Sequence, residues 1–279
     1  MKEYDFRTVP STGTPSNTYW GVKSWQNNAP APQYVFNDST AWIGNAANLV
    51  VTTRNSNSGT QQQGWCAGIQ GCDPWGVCAT GGSTIIKTAS NSNSMFTGLP
   101  VIPKVGGVEV STINVECFAG WFSSSAPGAS GPQYANILIN FWYKHKTQPR
   151  ALVIDFAIGY LVRSGSSWVQ RTDVPVGGQY SGDHIIANNS GLTTYHYAYC
   201  LQRMNSSNTI YFLQTDVKPV VLAAFNSSLF NNPPSGIPAI GNRTDYDWVG
   251  VEVGAEIDTS TQAGTGTLKV AIQKCRVDW

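Results

Sequence analysis

The stretch from Trp248 to Ile257, Trp-Val-Gly-Val-Glu-Val-Gly-Ala-Glu-Ile, decides the predicted fold because it alternates at every position. Its odd-numbered residues are all apolar, as expected of a strand face that packs into a core. Its even-numbered residues are Trp248, Gly250, Glu252, Gly254 and Glu256. Carboxylates, an aromatic ring and glycines on one face predict an open surface where a carboxyl group meets a ligand.

Two other segments share this alternation. Residues 151–160 set Asp155 among small residues on the face opposite their bulky ones. Residues 135–143 place Ile137, Ile139, Phe141 and Tyr143 on one face, and the other face carries Asn136, Leu138, Asn140 and Trp142. If the three strands are neighbours, their polar and aromatic residues share one surface. The residues then predicted to be buried between two sheets are Ile137, Ile139, Phe141, Leu152, Ile154, Phe156, Val249, Val251 and Val253.

The rest of the chain is predicted to form short strands separated by Gly, Pro, Asn and Ser clusters. One helix is predicted from Pro219 to Phe230, with an apolar stripe of Val220, Ala223, Ala224 and Phe230. We predict a single all-β domain over residues 1–279, a β-sandwich jelly roll. It would have two curved antiparallel sheets, a concave substrate cleft and one short helix.

Composition excludes several classes of function. A formal net charge of +1 gives no electrostatic reason to expect nucleic acid or an anionic membrane surface as partner. No apolar run approaches the roughly 18 residues of a membrane span. No phosphate-loop or dinucleotide fingerprint is present, and His145, His184 and His196 lack a matching Ser or Cys constellation. We expect a monomer without cofactor or metal.

The six cysteines favour disulfides over zinc. Cys66, Cys72 and Cys78 share one Gly-rich loop, but they are not spaced as zinc ligands and no His lies nearby. We therefore predict at least two disulfides, one of them tying down this loop. Residues 1–5 lack the apolar core of a signal peptide. The cysteines, the few lysines and the sequons at Asn37, Asn188, Asn205, Asn226 and Asn242 nevertheless predict a secreted protein.

Three pieces of the chain resemble glycoside hydrolase family 12, the jelly-roll endoglucanases and xyloglucanases. Asn17 to Gly21 is similar to the family's Asn-Asn-x-Trp-Gly strand, with Trp20 as its Trp. The hairpin 135–160 is similar in length and hydrophobic pattern to the strand pair that carries an Asp and then the nucleophilic Glu. Residues 251–271 resemble the C-terminal Gly-Thr-Glu strand and the Gly-Thr-Leu strand after it, with Gly254-Ala255-Glu256 in the first motif.

The resemblance implies roles for particular residues. It makes Glu256 the general acid/base and Asp155 the nucleophile, where the family has Glu, while Asn140 stands where the family has an assisting Asp. Trp20, Trp142 and Trp248 are expected to stack on sugar rings, and Asn140 to hydrogen-bond a carboxylate or a sugar hydroxyl. Glu252 is the reserve nucleophile or binds another sugar.

The expected function is that of a secreted, retaining, endo-acting hydrolase of β-1,4-glucan: cellulose, xyloglucan or mixed-linkage glucan. Because Asp is shorter than Glu, the carboxyl pair could instead be wide enough to admit a water, which would make the enzyme inverting. The alternative is a carbohydrate-binding or structural protein on the same scaffold without catalysis. A polysaccharide lyase would need a basic cluster for a uronate, and the sequence shows none.

Overall fold

The structure is a computed structural model that describes the backbone of residues 2–5, 21–26, 33–36, 49–55, 62–68, 99–122, 134–164, 167–171, 173, 175–187, 191–203, 211–258 and 266–279. Side chains are described chiefly within 99–117, 136–203, 213–251 and 276–279. Most of the described residues lie in β-strands.

The bounds of the elements follow the alternating segments of the sequence. The strands are β1 Lys2–Asp5, β2 Gly21–Gln26, β3 Gln33–Phe36, β4 Leu49–Asn55, β5 Gln62–Gly68, β6 Leu99–Pro100, β7 Lys104–Val105, β8 Val108–Glu109, β9 Asn114–Phe122, β10 Tyr134–His145, β11 Arg150–Ser164, β12 Ser167–Gln170, β13 Gly178–Gln179, β14 His184–Ala187, β15 Thr193–Cys200, β16 Tyr211–Asp216, β17 Tyr246–Asp258 and β18 Gly266–Asp278. The helices are α1 Lys218–Phe225 and α2 Ser228–Asn231, and a 3-10 turn spans Arg243–Asp245.

Two sheets contain nearly all of these strands. The large, 10-stranded sheet has the order β13-β15-β11-β10-β17-β5-β2, with β12 beside β11, β14 beside β15 and β6 beside β17. The small, 6-stranded sheet has the order β16-β9-β18-β4-β3, with β1 beside β18. Strand β10 lies between β11 and β17, so the three segments singled out in the sequence are indeed neighbours.

The core between the sheets confirms the predicted strand faces. The large sheet contributes Ile137, Ile139, Phe141, Leu152, Ile154, Phe156 and Val251, and the small sheet contributes Val115, Cys117, Leu213 and Val277. Val249 is buried too but is not part of this core cluster, and the side chain of Val253 lies outside the described residues. The all-β sandwich class is therefore confirmed by a shared apolar interior.

One strand pair departs from the antiparallel prediction. Strands β11 and β15 run parallel, from Arg150 opposite Thr193 to Ala157 opposite Cys200. A parallel pair needs a crossover of a dozen residues or more, and the segment between these strands is long enough to include β12, β13 and β14. The prediction of two purely antiparallel sheets is wrong at this pair.

The predicted helix is split in two. Helix α1 ends at Phe225, and Ser227 caps α2 by accepting a hydrogen bond from the Phe230 backbone N–H. The buried residues are Val220, Val221, Ala224, Phe225 and Phe230, whereas Ala223 of the predicted stripe is exposed. Neither helix is long and apolar enough to cross a membrane.

The disulfide prediction lies mostly outside the described residues. Cys72, Cys78 and the side chains of Cys66 and Cys275 fall there. Cys200 is a free, buried thiol whose Sγ donates to the Gln202 carbonyl oxygen at 3.4 Å. Burial raises the pKa of this thiol, so its thiolate is disfavoured.

Two fully buried tyrosines give a matched test of core packing. Tyr246 Oη donates to the Ile240 carbonyl oxygen at 2.9 Å, whereas Tyr143 Oη has no partner among the described residues. We expect Tyr246→Phe to lower the free energy of unfolding by about 1–3 kcal/mol, because it leaves a buried carbonyl unpaired. Tyr143→Phe should leave it unchanged or raise it. Urea denaturation of both variants measures this, and equal losses would contradict the assignment.

Candidate functional site

The large sheet has one face turned away from the core, here called the open face. It carries Asn140 and Trp142 of β10, Asp155 of β11 and His196 of β15. Each of these residues lies between two core residues of its own strand and is partly exposed. The sequence predicted the first three positions, and His196 was not among the predicted site residues.

Asp155 and Asn140 lie directly opposite each other on adjacent strands. The Asn140 Oδ1 atom is buried and has no hydrogen-bond partner among the described residues, and the same holds for Asn136 Oδ1. An unpaired buried amide oxygen costs about 1–3 kcal/mol, so a donor from a ligand or a water molecule would stabilise it. Asn140 is therefore well placed to receive a hydroxyl hydrogen bond next to Asp155.

Asp155 has a basic neighbour on the parallel strand β15. Its Oδ2 lies 3.5 Å from His196 Nδ1, and the side chains of Asp155 and His196 are 16% and 20% exposed. At this distance, longer than that of an ordinary hydrogen bond, the two groups form an ion pair when the imidazole is protonated.

A second histidine completes a layered cluster. The His184 ring of β14 stacks on the His196 ring, with centroids 4.6 Å apart and planes 9° from parallel. Burial lowers the pKa of His184, and the charge of His196 lowers it further. At neutral pH His184 is consequently neutral, and it covers His196 from the side of the sheet edge.

The two candidate glutamates lie in different rows of the sheet, where a row is a set of residues paired with one another across adjacent strands. Glu252 pairs with Asn140, so its backbone lies two strands from Asp155, whereas Glu256 pairs with Asn136, four residues further along β10. Strand spacing puts the α-carbons of Asp155 and Glu252 about 10 Å apart and those of Asp155 and Glu256 about 16 Å apart. The side chains of both glutamates lie outside the described residues.

The structure does not place the three tryptophans predicted to stack on sugar rings in the same way. Trp142 lies on the open face and is partly exposed, while Trp20 lies outside the described residues. The placement of Trp248 on the open face is wrong, because its side chain is 0% exposed and packs on Phe141 with ring centroids 4.7 Å apart. Its indole N–H donates to the Gly250 carbonyl oxygen at 3.1 Å, within the core.

A β-bulge explains the position of Trp248. Trp142 pairs with Gly250, but the next residue of β10, Tyr143, pairs with Trp248. Val249 is therefore an extra residue on β17, and it reverses the face of every residue before it. The alternation in the sequence runs unbroken through this position and gives no sign of the bulge.

A second bulge shapes the other end of the open face. Gly159 pairs with Ile137 and Ala157 with Leu138, so Ile158 is extra and Tyr160 changes to the open face. Tyr160 forms a small cluster there with Leu138, Ala157, Cys200 and Tyr180. The guanidinium carbon of Arg171 lies 4.8 Å from the Tyr160 ring centroid, and Nη1 donates to Tyr160 Oη at 3.0 Å. An aromatic cluster therefore borders the Asp155 region.

No group of three or more His, Cys, Asp or Glu within the described residues is arranged to hold a metal ion. The chemistry available on the open face is that of a carboxylate, an amide, an imidazole pair and an aromatic ring. These groups can accept a proton, hydrogen-bond hydroxyls and stack on an apolar ring face. Such a set suits a neutral, hydroxyl-rich ligand.

Comparison with known proteins gives matches only among solved structures, since no family model and no curated protein matches this sequence. The family 11 xylanase from Neocallimastix patriciarum is 10% identical, with 99% of each chain covered and a TM-score of 0.40. The xyloglucanase domain of NopAA, a type three effector from Sinorhizobium fredii solved with cellobiose, is 11% identical, with a TM-score of 0.31. The alignment covers 91% of this chain and 95% of that one.

A family 12 xyloglucanase from Bacillus licheniformis is 13% identical, with 91% of this chain and 99% of the other covered and a TM-score of 0.28. Structures of the family that the sequence resembles are thus among the matches, together with family 11. At these identities and TM-scores the alignments assign no role to any residue of this chain. The site rests on its own geometry.

Proposed function

We propose that this protein is a glycoside hydrolase that cleaves β-1,4-linked glucan on the open face, with Asp155 as one of its two carboxylates. The observation that carries the proposal is the row formed by Asp155, Asn140 and Glu252 on three adjacent strands. Glycoside hydrolysis needs two carboxyl groups on either side of the scissile bond. The choice of β-1,4-glucan comes from the resemblance of the sequence to family 12.

The second carboxylate of the proposal is Glu252 rather than Glu256. Glu252 lies in the same row as Asp155, and its place in the alternating sequence predicts that it shares a face with Asn140. Side chains that leave one face of a sheet from α-carbons about 10 Å apart can bring their carboxyl groups within the ~6.5–9.5 Å that inverting enzymes use. The α-carbon of Glu256, about 16 Å from that of Asp155, is too remote for either class.

In this arrangement the reaction is a single displacement. Asp155 takes a proton from a water molecule, the water oxygen attacks the anomeric carbon, and Glu252 donates a proton to the departing glycosidic oxygen. Asn140 holds a hydroxyl of the sugar beside Asp155, and Trp142 stacks on a neighbouring ring. The retaining reaction implied by the sequence resemblance would need the carboxyl groups about 5–5.5 Å apart.

Carbohydrate binding without cleavage is the second candidate function. It is favoured by the contact of Asp155 with His196, because a carboxylate engaged by a basic side chain can be structural rather than catalytic. The open face would then bind glucan through Asn140 and Trp142 alone. Wild-type protein that binds glucan but releases no reducing ends would establish this function instead.

The test compares Glu252→Gln with Glu256→Gln in a reducing-end assay on cellulose, xyloglucan and mixed-linkage glucan. Loss of the general acid is expected to slow hydrolysis about 10²–10⁴-fold in Glu252→Gln, because Gln cannot protonate the leaving oxygen. Glu256→Gln is the matched control on the same strand and should retain most of the activity. The reverse ranking would return the acid role to Glu256.

We also propose, on the cysteines and sequons of the sequence, that the protein acts outside the cell as a monomer. Reaction of the native protein with a thiol reagent, with and without prior reduction, tests the oxidised state that this implies. We expect at least four cysteines to react only after reduction, since at least two disulfides are predicted.

A further inference from the structure

Two of the six cysteines are paired across adjacent strands of the small sheet. Cys117 of β9 and Cys275 of β18 are direct partners in the antiparallel register, and both strands are inner strands of that sheet. Cys117 is 1% exposed and belongs to the core between the two sheets. The fold therefore brings together two cysteines that are far apart in the sequence.

The neighbouring pair on the same two strands shows which face this position is on. Val115 and Val277 are partners two residues away, and both are fully buried in the core. The register shift of this ladder lies beyond Lys274, so the pairing from Val277 to Cys275 is continuous. Because residues alternate along a strand and direct partners share a face, the backbone positions of Cys117 and Cys275 are both on the core face.

This arrangement meets the distance requirement of a disulfide. Direct partners in an antiparallel pair have α-carbons about 4.5 Å apart at non-hydrogen-bonded positions and about 5.5 Å apart at hydrogen-bonded ones. Disulfides span α-carbon separations of about 4.4–6.8 Å, so either kind of position permits the bond. Cys200 has a different environment, because it lies in the cluster on the open face and the large sheet separates it from this pair.

We propose that a disulfide joins Cys117 to Cys275 and fixes the register of β9 and β18. The bond specifies one of the disulfides proposed above and is independent of glucan cleavage. It forms by exchange with a disulfide oxidant such as oxidised glutathione: one protein thiolate attacks the oxidant and releases a thiol, and the other attacks the resulting mixed disulfide and releases a second. The two protein thiols are oxidised, the oxidant's disulfide is reduced, and the two protons pass to the released thiols.

A bond that fixes the register has a physical reason at this position. The β9–β18 ladder shifts register between Ile272 and Lys274, directly beside Cys275. A slip of one residue would place the charged Lys274 or Arg276 opposite the buried Cys117. Because Cys117 is buried in the folded protein, an oxidant must reach it before the two sheets close. The bond therefore forms during folding.

Peptide mapping tests the pairing directly. Reduced, denatured protein is refolded in a glutathione redox buffer, and the folded fraction is alkylated, digested with trypsin without reduction and analysed by mass spectrometry. Trypsin releases residues 105–144, with Cys117 as their one cysteine, and the dipeptide Cys275-Arg276. We expect these peptides to be joined before reduction and separate after it. Thiols at both positions, or a bond from either cysteine to another one, would overturn the inference.

A reductant separates the effect of the bond from that of side-chain packing. In the wild type, dithiothreitol should lower the urea midpoint of unfolding, because it removes a cross-link that restricts the unfolded chain. The double variant Cys117→Ala/Cys275→Ala should respond much less. Cys200→Ala is the matched control, since it removes a buried thiol outside the pair and should respond as the wild type does. Equal responses of the wild type and the double variant would contradict the proposed bond.

The mapping also distinguishes this disulfide from the oxidised state proposed for the whole protein. If protein isolated without refolding contains disulfides but none between Cys117 and Cys275, the oxidised state stands and this bond is excluded. If that protein contains thiols alone while the refolded protein forms the bond, the pairing stands and the extracellular, oxidised state fails. The rate of glucan hydrolysis decides neither.

Discussion

Asp155→Asn is expected to lower kcat for β-glucan hydrolysis by about 10²–10⁴-fold, since Asn cannot accept a proton from the attacking water. The variant keeps the shape of the side chain, so the circular dichroism spectrum and the glucan affinity should change little. The measurement is the initial rate of reducing-end release at saturating substrate, with affinity electrophoresis as the test of binding.

Glu109→Gln is the matched control for Asp155→Asn. Glu109 is also a partly exposed, ion-paired carboxylate, 2.8 Å from Arg243, but it lies in the β7–β8 hairpin rather than on the open face. Arg243 lowers the pKa of Glu109 mainly through its hydrogen bond. Each of the two substitutions therefore removes a carboxylate that lies close to a basic side chain. Activity should survive in the control. Equal activity of Asp155→Asn and the wild type would remove Asp155 from the reaction.

Trp248→Ala is expected to lower the free energy of unfolding by about 3–5 kcal/mol, because it empties a fully buried site among aromatic rings. The Trp248 ring contacts Phe141, Tyr143 and Trp279, with centroids 4.7–6.0 Å away. None of these contacts reforms around alanine. Guanidinium denaturation followed by fluorescence measures the loss.

Trp142→Ala is the comparison on the opposite face of the sheet. Trp142 is partly exposed on the open face, so its truncation should cost less stability than that of Trp248 and should weaken glucan binding instead. The two variants should therefore show opposite phenotypes. Trp248→Ala should be unstable, whereas Trp142→Ala should be stable but bind glucan weakly. If Trp248→Ala unfolded no more easily than Trp142→Ala, the bulge at Val249 and the core position of Trp248 would be contradicted.

The strand faces were predictable because alternation is a local property of the sequence. Ile139, Phe141, Ile154 and Val251 are buried as predicted, and Asn140 shares its face with Asp155. A bulge is different, since it depends on how two strands register rather than on either sequence alone. The bulge at Val249 therefore moved Trp248 from the predicted site into the core.

The histidine cluster was unpredictable for another reason. The segment Thr193–Cys200 does alternate, with Tyr195, Tyr197 and Tyr199 on one face and His196 on the other. What the sequence does not reveal is that this strand pairs in parallel with β11, which brings His196 to Asp155. Partners joined by a long crossover leave no short-range signal, so only the tertiary structure links Asp155, His196 and His184.

The anomeric form of the first product tests the central claim most directly. Wild-type protein is mixed with a cellooligosaccharide, and ¹H NMR records the new reducing end before mutarotation. A single displacement between Asp155 and Glu252, two strands apart, predicts that the α-anomer appears first. The β-anomer appearing first, or no cleavage of any β-1,4-glucan, would contradict the account.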